Sequence, residues 1–172
     1  MVNRKELDNI IESNKKENWW KPELFKDEVL ELLPRELEIV SLPPEENENY
    51  NCFIYTLGLK NNFEIISQTG GFIYSNFFRK LIEDNVFKKV TKPEAGDFIL
   101  YRNEIAYPGE ITHSGIVGEN DKIISKWAWG PIIRHNIFDV PESYGDNVEY
   151  FKGISGEFAI NLFNKYKKFN IN

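Results

Sequence analysis

Hydrophobic residues are spaced differently in the two regions of the chain. In the first region, apolar side chains recur at helical spacing in two segments. They are Leu7, Ile10 and Ile11 in RKELDNIIESNKK, and Val29, Leu30, Leu32 and Leu33 in KDEVLELL. Because Pro34 follows the second segment, the pattern predicts a helix that ends there. A short strand or extended segment is predicted in PRELEIVSLPP, before a polar loop.

Beyond that loop, the pattern predicts two helices and then a series of short strands. CFIYTLGL stops at Gly58, which predicts a short helix with Cys52 in its first turn. GGFIYSNFFRKLIEDN predicts a second helix with its aromatic residues on one side. From Gly96 onward the strand-like segments are DFILYR, THSGIVG, KIISKWAW and NVEYFK, and EFAINLFNKYKKF predicts a closing helix. Helices followed by an antiparallel meander indicate an α+β fold.

The same division predicts the domain organisation. We expect an N-terminal helical extension over residues 1–45 and a domain over residues 46–172, packed together as one unit. A chain of 172 residues is long enough for one stable core. Trp19 and Trp20 lie between the two predicted N-terminal helices and are interpreted as anchors of this extension on the domain.

Charge narrows the range of partners. The formal net charge is −6, from 27 acidic and 21 basic residues, and no cluster of Lys or Arg exceeds short pairs. A nucleic-acid partner is therefore not expected, because such proteins carry a basic patch. No apolar run has the length of a signal peptide or a membrane span, so we expect no membrane association and a cytoplasmic location. A peptide or protein substrate is the expected partner.

Cys52 is the only cysteine of the chain and has two open interpretations. A cysteine beside Phe53 and Ile54 is commonly a small buried apolar residue. Alternatively, the start of a helix and a neighbouring imidazole would lower the pKa of the thiol and make it a nucleophile. The chain has two histidines, His113 and His135, and His113 begins a predicted strand, a position that suits a general base.

Three short motifs in a fixed order resemble the NlpC/P60 and CHAP families of papain-like cysteine peptidases and amidases. In those families a cysteine begins the central helix, Gly-Asp opens the first strand, and a histidine followed by small and aliphatic residues opens the next. Here these positions are Cys52, Gly96-Asp97 and His113-Ser114-Gly115-Ile116. The resemblance covers roughly residues 48 to 152. It implies a papain-like fold of the NlpC/P60 type, with N-terminal helices packed on a small antiparallel sheet.

The chain departs from this family pattern around the predicted nucleophile and base. NlpC/P60 proteins usually carry Asp before the cysteine, where it helps to hold a free amine of the substrate. This chain has Asn51 there, so the resemblance makes Asn51 a candidate substrate-binding residue but weakens the case for that substrate. The third catalytic position of the family falls on Ser125, which would orient the imidazole less firmly than His, Asn or a carboxylate. His135 is the competing candidate, because a turn at Gly130-Pro131 would bring the chain back along the sheet. The segment around it also resembles an uncharacterised bacterial branch grouped with papain-like folds.

Aromatic residues follow Ser125 directly. Strand alternation would place Ser125, Trp127 and Trp129 on one face and Lys126 on the other. The two tryptophans would then line the substrate groove, or would pack in the core between sheet and helices. Asn49 and Tyr50 are further candidates for contacting an oxyanion.

Two functions from different classes follow. The first is a cysteine-dependent amide hydrolase or acyl transferase in which Cys52 attacks, His113 moves the proton, and Ser125 or His135 orients the ring. The second is a catalytically inactive papain-like scaffold that binds a peptide or protein, for example as an immunity-type module. No metal or organic cofactor is implied, because one cysteine and two histidines give no recognisable ligand spacing.

Overall fold

An antiparallel sheet lies at the centre of the fold. The structure is a computed structural model that describes residues 2–11 and 20–171. Within these residues the strands are β1 (Glu38–Ser41), β2 (Lys89–Val90), β3 (Phe98–Arg102), β4 (His113–Val117), β5 (Ile123–Lys126), β6 (Ile132–His135) and β7 (Asn147–Phe151). They form one sheet in the order β1-β6-β5-β4-β3-β7-β2, and every neighbouring pair is antiparallel.

The helices are mostly short. Those in the described residues are α1 (Arg4–Ile11), α2 (Pro22–Leu24), α3 (Cys52–Thr56), α4 (Phe63–Thr69), α5 (Ser75–Glu83) and α6 (Gly156–Tyr166). After α2 the chain continues through a π-helical turn at Phe25–Val29 and a 3₁₀ turn at Leu30–Leu32. Helices and an antiparallel sheet together confirm the predicted α+β class. None of the described helices combines the length and apolar character needed to cross a membrane.

Both faces of the sheet are buried. Along β3, Phe98 and Leu100 join the hydrophobic cluster formed with α3 to α6, whereas Ile99 and Tyr101 join a second cluster on the opposite face. This alternation follows from the pleat of a strand, which points successive side chains to opposite sides. Strands covered on both sides are accordingly almost continuously hydrophobic, as FILYR is.

The second cluster is covered by the N-terminal segment. Leu7 of α1, Phe25 and Val29 are buried in it. The guanidinium of Arg4 reinforces the attachment by donating hydrogen bonds to backbone carbonyls of residues 140–145, two of them at 2.7 and 3.0 Å. β1 also lies in this part of the chain and pairs with β6. The sheet therefore continues across the predicted boundary at residue 45.

Three local predictions differ from the structure. Gly70 and Gly71 do not open a helix, because Gly70 caps the end of α4 in a left-handed conformation with φ of 59°, and α5 begins at Ser75. The helix α4 itself was not predicted. The strand predicted in KIISKWAW ends at Lys126, since Ala128 has φ of 47° and a tight turn leads into β6.

Of the two predicted anchors, Trp19 lies outside the described residues. Trp20 is half-buried and packs against the second cluster. Its ring centroid lies 5.7 Å from that of Trp129. Trp20 therefore connects the N-terminal segment with the turn between β5 and β6.

Replacing Phe25 with Ala is expected to destabilise the whole domain. The Phe25 ring is fully buried between the N-terminal segment and the sheet, so its removal leaves a cavity and lowers the free energy of unfolding by about 3–5 kcal/mol. Urea unfolding followed by tryptophan fluorescence measures this change. The matched control is Leu32→Ala, because Leu32 is 52% exposed in the same segment and its truncation should change the stability by less than about 1 kcal/mol. Equal stabilities of the two variants would contradict the packing of this segment on the sheet.

Candidate functional site

Asn51 fixes the start of α3. Its Oδ1 accepts the backbone N–H of Ile54 at 3.3 Å and that of Ile73 at 3.4 Å, and its Nδ2 donates to the Ile73 carbonyl at 2.7 Å. The side chain is therefore both the N-cap of α3 and a clamp on the segment before α5. These backbone groups occupy the amide oxygen and the amide nitrogen of Asn51. The side chain therefore has little hydrogen-bonding capacity left for the predicted contact with a substrate.

Cys52 is the first residue of α3 and is 7% exposed. Burial raises the pKa of its thiol to about 11, while hydrogen bonding by Ser114 and the charge of Lys126 act in the opposite direction without overcoming it. At neutral pH the sulfur is therefore protonated. This corrects the expectation that the helix start and an imidazole would lower the thiol pKa. The helix has only five residues, and burial keeps the His113 imidazole itself uncharged at neutral pH by lowering its pKa.

His113 begins β4 and is 1% exposed. Its ring is stacked on Tyr144, with 3.9 Å between centroids and 15° between planes. Burial lowers the pKa of His113 well below its ordinary value, and the charge of His135 lowers it further. The Nε2 atom is buried without a hydrogen-bond partner in the part of the chain that the structure describes. The imidazole is thus neutral at neutral pH, with one nitrogen unsatisfied.

Cys52 and His113 reach one cavity from opposite sides of β4. Tyr101 pairs with His113 and Leu100 with Ser114. Since opposite residues share a face, His113 lies on the face covered by the N-terminal segment, and Ser114 lies on the face covered by α3. At the end of the strand both the thiol and the imidazole line the cavity. No hydrogen bond joins them among the described residues, and the thiol has Ser114 as its neighbour instead.

The cavity has a volume of about 530 Å³ and a mostly apolar lining. Its aromatic and aliphatic walls include Phe53, Phe72, Tyr74, Ile111, Trp129 and Tyr144. Glu110 is the charged residue of the lining, and its Oε1 pairs with the Arg79 guanidinium at 3.2 Å. Its other oxygen accepts a hydrogen bond from Ser75. The site is therefore suited to an apolar group of a ligand, with polar groups at the thiol, the imidazole and this rim.

The two candidates for the orienting residue contact each other. Trp127 Nε1 donates to Ser125 Oγ at 3.1 Å, and Ser125 Oγ lies 2.8 Å from His135 Nε2. Because the Asn136 carbonyl can only accept, the neutral imidazole of His135 carries its proton on Nδ1, and the Ser125 hydroxyl donates to His135 Nε2. The other nitrogen, Nδ1, then donates to the Asn136 carbonyl at 2.7 Å. Burial lowers the pKa of His135 to about 4, and neither Ser125 nor His135 hydrogen-bonds to His113.

Trp127 and Trp129 were both predicted to line the substrate groove or to pack in the core. In the structure Trp127 lies in the core and Trp129 lies at the cavity. Trp127 is fully buried, with its ring edge-on to His135 and Tyr144, so it takes the core position and offers no surface to a ligand. Trp129 lies beyond the end of β5 and forms part of the cavity wall. Its carbonyl accepts a hydrogen bond from Asn49 Nδ2 at 2.7 Å. The Asn49 amide, a candidate for contacting an oxyanion, is therefore engaged in this hydrogen bond.

Lys126 is the residue near Cys52 that sequence reasoning did not use. Its side chain is fully buried, and its Nζ donates to the carbonyls of Gly130 at 2.5 Å and Ala128 at 3.4 Å. Burial lowers the pKa of Lys126 to about 7, against the opposing influence of Cys52. Alternation along β5 does place Lys126 opposite to Ser125, but only the tertiary structure shows that α3 covers that face.

Within residues 2–11 and 20–171, no group of three His, Cys, Asp or Glu side chains is arranged to hold a metal ion.

A comparison with protein families identifies one match. The model of the family described as a domain of unknown function (DUF7689) matches residues 41–152. The chain belongs to this family. The matched segment contains Cys52, His113 and His135, together with the strands β2 to β7. Neither a curated protein nor a solved structure matches the chain. Family membership therefore covers the cavity and most of the sheet, whereas α1, α2 and α6 lie outside the matched segment.

Replacing Asn51 with Asp is expected to destabilise the protein. The change removes the Nδ2 donor to the Ile73 carbonyl and places a carboxylate oxygen beside that carbonyl. We expect a loss of about 1–3 kcal/mol in the free energy of unfolding at pH 7, measured by urea denaturation.

Asn62→Asp is the matched control for this variant. Asn62 caps α4 by accepting the backbone N–H of Ile65 at 3.0 Å, and an aspartate caps a helix as well as an asparagine does. Its stability should stay within about 0.5 kcal/mol of the wild type. If Asn51→Asp were equally well tolerated, the structural role assigned to the Asn51 amide would be incorrect.

The buried imidazoles predict that mild acid destabilises the fold. The pKa is about 4 for His135 and well below 6.5 for His113, whereas a histidine of the unfolded chain titrates near about 6.5. Between these values the unfolded chain binds protons that the folded protein does not, so the free energy of unfolding falls as the pH decreases from 7 to 5. We expect a loss of about 1–2 kcal/mol for each imidazole, measured by urea unfolding at several pH values. A urea midpoint that stays constant over this range would show that the imidazoles are already charged in the folded protein.

Proposed function

We propose that this chain is a cysteine-dependent amide hydrolase or acyl transferase acting on a peptide or protein, with a papain-like organisation of the NlpC/P60 type. The observation that carries the proposal is that Cys52 and His113 line one cavity, and that the buried Nε2 of His113 has no partner among the described residues. A buried polar atom without a partner is uncommon in folded proteins and needs a reason. When its residue lines the same ligand-sized cavity as a thiol, a neutral imidazole nitrogen has such a reason, since it can accept the thiol proton once the two side chains approach each other.

The order of elements supports the papain-like assignment. Cys52 begins α3, Gly96-Asp97 precedes β3, and His113 begins the adjacent strand β4. Asp97 has a structural part in this arrangement, because its carboxylate accepts the backbone N–H groups of Glu94 at 2.9 Å and Gly153 at 3.1 Å. It joins the start of β3 to the residues after β7.

The reaction would use the two groups in succession. The Cys52 sulfur forms a bond to the carbonyl carbon of the substrate, while its proton passes to His113 Nε2. The imidazolium then returns this proton to the leaving amine as the amide C–N bond breaks. A water molecule or an acceptor amine attacks the resulting thioester and regenerates the thiol. Because the resting thiol lies beside Ser114 and is protonated, the mechanism requires the Cys52 side chain to turn towards His113 when substrate enters.

The second candidate is an inactive scaffold that binds a peptide or protein, such as an immunity-type module. Three observations support this candidate. Burial holds the pKa of the Cys52 thiol at about 11, the Asn51 amide is occupied by backbone groups, and Ser125 and His135 bind each other instead of His113. In this function the cavity would hold an apolar side chain of the partner, and the thiol would be part of its wall.

An activity-based probe separates the two candidates. A fluorescent peptidyl acyloxymethyl ketone with a large apolar side chain should label the wild type covalently, because it needs an activated thiol within a peptide-binding site. Cys52→Ala should abolish labelling, and His113→Ala should slow it by about 10²-fold or more, as expected for loss of a general base. Intact-mass spectrometry measures the rate of labelling, and thermal unfolding verifies that each variant is folded.

Binding of the matched peptide without the reactive group provides the opposing measurement. Saturable binding to both the wild type and Cys52→Ala, with no covalent labelling of the wild type, would favour the binding module and overturn the enzyme. Phe63→Ala is a suitable reference variant for both measurements, because Phe63 is 64% exposed and does not line the cavity.

A further inference from the structure

A short extended segment before α5 forms an aromatic wall of the cavity. Phe72 and Tyr74 both line the cavity, whereas Ile73 between them is fully buried in the cluster formed with α3 to α6. This alternation is that of a β-strand, although the three residues are not part of the sheet. The rings of Phe72 and Tyr74 are half-buried, with 5.0 Å between their centroids and 49° between their planes. Two neighbouring aromatic rings are therefore available to a ligand in the cavity.

Two asparagine side chains hold the backbone of this wall from opposite edges. On one edge, Asn51 binds the N–H and the carbonyl of Ile73. On the other edge, Asn170 Oδ1 accepts the N–H of Tyr74 at 2.8 Å, and Asn170 Nδ2 donates to the Phe72 carbonyl at 3.1 Å. Successive residues of an extended chain direct their backbone groups to opposite sides. The two amides therefore take the places that neighbouring strands would have in a sheet.

These two asparagines connect the wall with different parts of the fold. Asn51 directly precedes Cys52 and caps α3, so it fixes the wall relative to the thiol. Asn170 follows the 3₁₀ turn after α6. The next residue, Ile171, lines the cavity although its side chain is 60% exposed, and its carbonyl accepts a hydrogen bond from Asn76 Nδ2 at 2.9 Å. The aromatic wall thus extends from the thiol to an apolar side chain that a ligand could cover.

The other walls of the cavity favour the same kind of group. Phe53, Trp129 and Tyr144 add further aromatic rings to the lining. Aromatic rings attract one another in tilted and edge-to-face arrangements, beyond the effect of the apolar area that they bury. The charged residue of the lining, Glu110, is already paired with Arg79, so the walls favour an uncharged group. A volume of about 530 Å³ is large enough for an aromatic side chain with the backbone next to it.

We propose that the cavity is a subsite for an aromatic side chain of the peptide substrate, in which Phe72 and Tyr74 contact this side chain and Asn170 positions them. The inference rests on the proposed function, because it names the side chain that lies next to the amide bond attacked by Cys52. Asn170 is a positioning residue. Its amide is occupied by the backbone of the wall, and it is not among the residues that line the cavity.

Alkylation of Cys52 at pH 8 by three iodoacetamides tests this inference. The reagents are unsubstituted iodoacetamide, its N-benzyl derivative and its N-cyclohexylmethyl derivative, which has a similar size but no aromatic ring. Because the chain has a single cysteine, intact mass reports on this thiol, and Cys52→Ala gives the rate of side reactions. All three reagents attack the same thiolate, so the ratio of their rate constants does not depend on the thiol pKa.

In the wild type we expect the N-benzyl reagent to react at least about tenfold faster than iodoacetamide, because its ring binds in the cavity. It should also react at least about threefold faster than the N-cyclohexylmethyl reagent, because only the aromatic ring gains from the aromatic walls. Equal rates for the two substituted reagents, or a slower reaction of both than of iodoacetamide, would overturn the aromatic subsite.

Two variants test the residues of the wall. Phe72→Leu keeps an apolar side chain but removes one ring, so the rate ratio of the N-benzyl to the N-cyclohexylmethyl reagent should fall towards about one. Asn170→Ala should lower this ratio at least about twofold, because it releases one edge of the wall. The control Phe158→Leu changes a phenylalanine of α6 that is 45% exposed and does not line the cavity, and it should keep the wild-type ratio.

The ratio also distinguishes positioning from a purely structural role of Asn170. A general loss of stability changes the rates of both substituted reagents together and leaves their ratio unchanged. A wild-type ratio in Asn170→Ala would therefore show that this residue does not position the aromatic wall.

A binding measurement on the wild type covers the cases in which the buried thiol reacts too slowly or a variant fails to fold. In ¹⁵N-labelled protein, NMR follows titrations with N-acetyl-phenylalanine amide and N-acetyl-cyclohexylalanine amide. We expect saturable shifts of the backbone amides of Phe72, Tyr74 and Ile171, with at least about threefold tighter binding of the phenylalanine compound. Absence of saturable shifts at these amides, or equal affinities of the two compounds, would overturn the inference.

The result is separable from that of the proposed function, because neither measurement requires proton transfer by His113. If the aromatic preference is found but the acyloxymethyl ketone does not label the wild type, the aromatic subsite stands and the amide hydrolase is rejected. If the ketone labels the wild type but the aromatic and cyclohexyl compounds behave alike, the hydrolase stands and the aromatic subsite is rejected.

Discussion

The alternation of side chains along β4 is the constraint that organises the site. α3 covers one face of this strand and the N-terminal segment covers the other. Successive residues of the His113-Ser114-Gly115-Ile116 motif therefore pack against different layers of the fold. Ser114 meets the helix and the Cys52 thiol, whereas His113 stacks on Tyr144 in the opposite layer. Gly115 is required by the same packing, because a Cβ at this position would lie 2.9 Å from the Cβ of Ser125. The thiol and the imidazole can meet only where the strand ends.

Burial on both faces determines the charge of Cys52, His113 and His135. Desolvation opposes ionisation of the thiol and of both imidazoles, so the resting site is uncharged at its centre. Neutral side chains lose little solvation free energy when an apolar ligand displaces water from them. A cysteine nucleophile, however, reacts as the charged thiolate. The resting site therefore suits an apolar group of a ligand, whereas ionisation of the thiol requires a change in its surroundings that offsets desolvation.

Local patterns were sufficient to predict the positions of the main candidates, but not their partners. The short helix with Cys52 in its first turn, the start of a strand at His113 and the α+β class depend on residues close in sequence, and the structure has all three. What Ser125 and His135 bind, in contrast, depends on the register between β5 and β6, and what surrounds Lys126 depends on which layer covers each face. The end of β5 was also beyond local reasoning, because KIISKWAW is a good strand pattern up to a turn with a left-handed alanine.

The contact between Trp20 and Trp129 joins the N-terminal segment to the segment that the family model matches. Trp129 belongs to the segment matched by the DUF7689 family, whereas Trp20 lies before it. The wall of the cavity is thus supported from behind by a residue that the family segment does not include. The lining residues of the cavity lie within the family segment, except for Ile171. The family segment therefore carries both the walls of the cavity and its candidate reactive groups, whereas the N-terminal segment contributes a contact that holds one of those walls in place.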